Sequence, residues 1–124
     1  MINNQLLTLT PMELLDYFTK NFTDELPSEV KSVEDMNHAA ELLLKLTEEY
    51  SYICSLLSLA KIMTRDAKRH LSKEEYEDMV DRKEIIQNMA DVIKQKYAAI
   101  SRAVTIKLEN NAELRMTGNG YINR

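Results

Sequence analysis

Several groups of residues in this sequence have types and spacings that chemistry could use. Asp35 and His38 stand at i and i+3, the spacing by which helical bundles place carboxylate and imidazole ligands for a pair of iron ions. Glu74, Glu77, Asp81 and Glu84 form an acidic stripe in which Glu74-x-x-Glu77 has the geometry of half a magnesium site. Lys61, Arg65 and Lys68 share one helical face, with Arg69 beside them and Tyr50 and Tyr52 upstream, as a row of phosphate contacts would require. Tyr50 and Tyr97 are the last pair, two aromatic groups with Lys94 close by if the chain folds back on itself.

Each group also has a plainer explanation. A two-metal site needs a second carboxylate–histidine pair, and only His70, near Asp66 at the far end of the same helix, is left to supply it. A magnesium-dependent nucleotide hydrolase of the helical-bundle kind needs a second spaced acidic pair, whereas Glu48 and Glu49 are adjacent. The single cysteine, Cys54, sits in the apolar stretch YICSLLSLA and reads as a small buried hydrophobe. Glycine occurs only at Gly118 and Gly120, so no glycine loop can cradle a phosphate. No catalytic residue, metal ligand or cofactor is therefore assigned. The tyrosine pair is expected to pack as an aromatic layer.

The elements that position these residues follow from the punctuation. Among 124 residues, both prolines (Pro11, Pro27) lie near the start and both glycines near the end. The uninterrupted stretch between Ser28 and Thr117 is rich in Leu, Glu, Lys, Met and Ala and predicts helix. Thr10-Pro11-Met12-Glu13 begins a short helix with the stripe Leu15, Phe18, Phe22, ending before the loop signature TDELPSE. Ser32 caps a second helix over about residues 33–70. Ser72-Lys73-Glu74-Glu75 caps a third, leaving Leu71-Ser72 as the corner of an antiparallel hairpin.

Within the second helix, Met36, Leu43, Tyr50, Leu57, Thr64 and Leu71 alternate with Ala39, Leu46, Ile53, Ala60 and Ala67 in a heptad seam. The third helix answers with Met79, Ile86, Ile93 and Ile100. Its end is placed near Glu109, although the alternation of Val104, Ile106 and Leu108 also suits a strand. Residues 110–124 are expected to form an irregular tail with a turn at Gly118-Asn119-Gly120. The domain reading is thus residues 1–31 for the short helix and loop, 32–109 for the long hairpin, and 110–124 for the tail.

Charge supports the antiparallel pairing. Residues 33–51 carry net −4 and residues 52–70 net +3; residues 73–91 carry net −4 and residues 92–109 net +3. Each helix matches its own macrodipole, and folding about Leu71-Ser72 sets every basic half beside an acidic one. On this reading the row Lys61, Arg65, Lys68 faces the acidic start of the third helix and is largely neutralised.

Two helices of this length form a thin rod, and the apolar surface around Leu56, Leu57, Leu59, Ile62 and Met63 is wider than one seam. These five residues are expected to form a homodimer interface that closes a four-helix bundle, with cover by the first helix as the rival. A net charge of −4 weighs against nucleic acid, and no run of apolar residues suits a membrane span or signal peptide. The expected molecule is all-α, cytoplasmic and non-enzymatic. It is an adaptor or inhibitor, a type that includes phage-borne proteins, and it docks helical faces on a partner protein. A dimer binding nucleic acid through Lys61, Arg65, Lys68 and Arg69 is the alternative, and magnesium-dependent hydrolysis the second alternative.

Overall fold

The computed structural model describes residues 4–22 and 30–122, with residue 4 and residues 111–122 as backbone alone. The described residues are all helical or connecting, without a strand. A 3₁₀ turn over Asn4–Thr8 leads into α1 (Pro11–Asn21); α2 spans Val33–His70 and α3 Lys73–Ile122. The TDELPSE signature lies outside the described residues.

Each start has its cap. Thr10 accepts from the Glu13 amide at 3.2 Å while the Glu13 carboxylate accepts from the Thr10 amide at 3.1 Å, and Pro11 occupies the first turn, where its missing N–H costs nothing. At α2, Ser32 Oγ accepts from the Asp35 amide at 3.1 Å. Asp35 Oδ2 in turn accepts from the amides of Lys31 at 2.9 Å and Ser32 at 3.2 Å. Ser72 Oγ accepts from the Glu75 amide at 3.2 Å and opens α3. Leu71 between them is extended (φ −107°, ψ 165°), so the chain does break at Leu71-Ser72.

The two amides, foremost that of Lys31, hold the Asp35 carboxyl below its ordinary range. A carboxylate with a depressed folded-state pKa contributes stability that is present above its unfolded value and lost as pH falls through the folded one. The stability difference between the wild type and Asp35→Asn is therefore expected to be largest near neutrality and to shrink below about pH 4. Urea titrations at several pH values measure it, and a pH-independent difference would remove the carboxylate from the cap.

The hairpin is antiparallel. Thr64 Oγ1 donates to Ala60 O at 2.7 Å and reaches Met79 O at 3.4 Å, tying the end of α2 to the start of α3. Further out, Lys61 shares a groove with Lys83, and Leu46 and Tyr50 share one with Ile93, Lys94 and Tyr97. The seam buries Ala39, Leu46, Ile53, Ala60 and Ala67 against Met79, Ile86, Ile93 and Ile100. Ala39, Ala60 and Ala90, nearly inaccessible, allow the backbones to approach closely, and the larger aliphatic groups each gain about 1.5–3 kcal/mol on burial.

The N-terminal segment completes this core. Leu6, Leu7, Leu14 and Phe18 are buried in one cluster with Leu56, Ile53 and Ile86. Helix α1 packs on α3, where Phe18 and Phe22 meet Ile85, Met89 and Val92, and the Arg82 guanidinium donates to Leu9 O.

One expectation needs correction. Helix α3 does not end near Glu109 but continues to Ile122; Val104–Leu108 are helical, as favoured, and not the alternative strand. Ala112, Glu113, Leu114, Arg115 and Met116 are good helix formers, and Gly118 and Gly120 lower propensity by about 1 kcal/mol each without adopting positive φ. Among the described residues no helix is long and apolar enough to cross a membrane.

Candidate docking surface

Helical periodicity sorts the exposed side chains of the hairpin into two flanks on either side of its buried seam. On α3, Ile85, Met89 and Val92 mark the flank that α1 covers. Glu74, Asp78 and Asp81 precede Ile85 by eleven, seven and four residues and so share that flank. On the opposite flank stand Tyr76, Lys83, Gln87 and Lys94, again at spacings of four and seven. On α2, Leu59 and Met63 lie on the covered side, whereas Tyr50, Cys54, Lys61, Arg65 and Lys68 lie on the open one.

Two grooves run along the open flank. The outer one has a volume of about 320 Å³, with Leu46 and Ile93 as its buried floor and Thr47, Tyr50, Lys94 and Tyr97 as its walls. The one nearer the corner, of about 330 Å³, is lined by Lys61, Lys83, Glu84, Gln87 and Asn88. Tyr50 and Tyr97 remain 37% and 42% exposed, large aromatic surface left for something outside the hairpin. The Tyr50 phenol is held above its ordinary range, first by a hydrogen bond with the Cys54 side chain and the electrostatic influence of that group, then by burial and the Asp91 carboxylate. It is neutral near pH 7 and able to donate a hydrogen bond.

No family model, curated protein or solved structure matches the chain.

The expected oligomer interface does not form one face. Leu56 is fully inaccessible and Leu57 is 8% exposed within the single chain; Leu59 and Met63 are half-buried against the core; Ile62, 58% exposed, points outward. Leu57 borders the open flank, while Leu56, Leu59 and Met63 turn to the side the N-terminal segment occupies. The apolar width that suggested a second chain is largely taken up by the molecule itself.

The basic row also stands differently from expectation. Lys61 shares its groove with Lys83 as well as with Glu84, while Glu74, Asp78 and Asp81 project from the other flank. Arg65 and Lys68 continue the row toward the corner, and Arg69 lies at its outer edge, all exposed. Among the described residues, Lys61, Arg65, Lys68, Lys83 and Lys94 form no ion pair within 4.0 Å. The pairs Lys20–Asp16, Lys45–Glu49 and His70–Asp66 are each i,i+4 within one helix.

The metal-like spacings resolve into local structure. Asp35 is committed to its cap, His38 is exposed nearby, and Glu74, Glu77, Asp81 and Glu84 are all exposed along α3. No group of three or more His, Cys, Asp or Glu side chains among the described residues could hold a metal ion. The expected meeting of Tyr50 with Tyr97 and Lys94 is found. Lys83 and Gln87 were missed as partners of Lys61. The antiparallel register would have found them, since residues whose numbers sum to about 144 face each other across the seam.

Proposed function

We propose that this chain is a non-enzymatic interaction protein of adaptor or inhibitor type, docking the open flank of its hairpin on a partner protein. The observation that carries the reading is the outer groove: an aliphatic floor of Leu46 and Ile93 between two half-exposed tyrosines, on the side left uncovered by α1. Exposed aromatic side chains around a small apolar depression are the usual anchors of a protein interface. The length of the hairpin serves the same end, because rigid helices hold a long contact row in fixed register. A homodimer is not needed to bury Leu56 and its neighbours, so the partner is taken to be a different protein.

The test is purification from the native source at low salt. One protein is expected to accompany the chain in fixed stoichiometry and to be lost in the Tyr50→Ala/Tyr97→Ala double variant, whose helicity should be unchanged because both rings are already partly solvated. Retention on DNA or RNA without a protein partner would overturn the reading. So would a divalent-dependent cleavage of nucleoside triphosphates abolished by Glu74→Gln.

A further inference from the structure

The open flank is chemically one-sided in a way that specifies its partner. Reading from the corner outward, α2 contributes Lys68, Arg65, Lys61 and Tyr50, and α3 contributes Tyr76, Lys83, Lys94 and Tyr97. Five cations without ion pairs among the described residues therefore border a strip that ends in the apolar groove. Of the acidic side chains of the same stretch, Asp66, Glu74, Asp78 and Asp81 project to the other flank or the outer surface, while Glu84 lines the groove of Lys61 and Lys83. From Tyr50 to Lys68 the strip measures roughly 27 Å, at about 1.5 Å per residue.

Building on the protein-docking reading above, we infer that the open flank receives an acidic amphipathic helix of the partner protein, its carboxylates along Lys61, Arg65, Lys68, Lys83 and Lys94 and its apolar side chains in the Tyr50–Tyr97 groove. About five helical turns of partner would span the strip. Individually these exposed pairs are weak and screened by salt, so they act mainly on orientation and rate of association, while the groove holds the complex.

A nucleic-acid backbone fits less well. Glu84 lines the same groove as Lys61 and Lys83, and Asp91 lies close enough to Tyr50 to act on its phenol. Evenly spaced phosphates would meet these two carboxylates, whereas a protein helix can set a neutral or basic side chain opposite each. The net charge of −4 opposes long-range attraction of a polyanion as well. A second copy fits less well again. Two copies of this flank joined about a twofold axis would set cationic rows against the outer groove and not against carboxylates. Joining the basic flank of one copy to the acidic flank of the next gives an open, non-closing arrangement.

Zero-length coupling by carbodiimide, which joins a lysine amine directly to a carboxylate, tests the assignment on the full chain in its native extract. The expected products join Lys61, Lys68, Lys83 or Lys94 to Asp or Glu residues of one other protein, at i,i+3 or i,i+4 spacing. Capture of that protein should fall at least about tenfold in Lys61→Glu/Lys83→Glu, and also when salt is raised from about 0.05 M to about 0.5 M. Circular dichroism of the variant should be unchanged, since its fold does not rest on these side chains.

A protein partner coupled instead through Lys20, Lys31, Lys45 or Lys96 would overturn the inference while leaving the docking function standing. Coupling to Glu41 or Glu48 of a second copy, or recovery of DNA or RNA in place of protein, would overturn it too. Recovery of no protein partner at all would remove both readings together.

Discussion

Leu14→Ala is expected to lower the unfolding free energy by about 2–5 kcal/mol, the usual cost of emptying a fully buried leucine site. Terminal segments ordinarily tolerate change, because few contacts fix them. Here the first helix buries Leu14 and Phe18 in the same cluster as Ile53, Leu56 and Ile86, and the Arg82 guanidinium anchors the chain just before it at Leu9 O. Removing the leucine side chain therefore opens a cavity beneath α1. Urea unfolding followed by far-UV circular dichroism supplies the measurement. A loss below about 0.5 kcal/mol, the range of ordinary surface changes, would mean that α1 does not hold the hairpin.

The second large effect is a contrast between two residues six positions apart on α2. Leu56→Ala is expected to cost about 2–5 kcal/mol and Ile62→Ala less than about 0.5 kcal/mol. Leu56 is wholly enclosed within the chain, while Ile62 is 58% exposed and has little packing to lose. A common interface containing both would make the two losses comparable and concentration-dependent, since subunit association adds to apparent stability by mass action. Equal losses that grow on dilution would restore the dimer interface; unequal losses independent of concentration would support the enclosed arrangement.

The parts of this fold written in short-range chemistry were legible from the chain. Thr10, Ser32 and Ser72 each announce a helix within four residues, and a proline or acidic residue in the first turn reinforces the signal. The corner followed from the same logic, and with it the register that brings Tyr50 to Lys94 and Tyr97. What could not be read was long-range. The apolar width around Leu56 is visible in sequence, but its cover comes from residues some forty to fifty positions earlier, through a connection that no periodicity specifies.

The charge totals agree with the antiparallel pairing but misplace the basic row, for a different reason. Totals for half a helix average around its circumference, and here the circumference separates the signs. Lys61 and Asp66 belong to the same half of α2 yet emerge on different sides, as do Lys83 and Asp81 on α3. Only knowledge of the buried face converts a sum into a flank. The end of α3 was placed too early because the apolar series closes near Leu108, whereas the good helix formers after it, among them Ala112, Glu113 and Leu114, continue the helix without that series.

The N-terminal segment has a further consequence as a tethered competitor. Being attached to the hairpin it packs against, it is presented at an effective concentration of about 1 mM, the scale set by short connections. A second copy offering the same kind of apolar surface at micromolar concentration faces roughly a thousandfold handicap for the Leu56 side. The same chain that would be sticky there without its first twenty-two residues thus carries its own blocking agent. What it leaves open to outside partners is the other flank, where the tether has nothing to contribute.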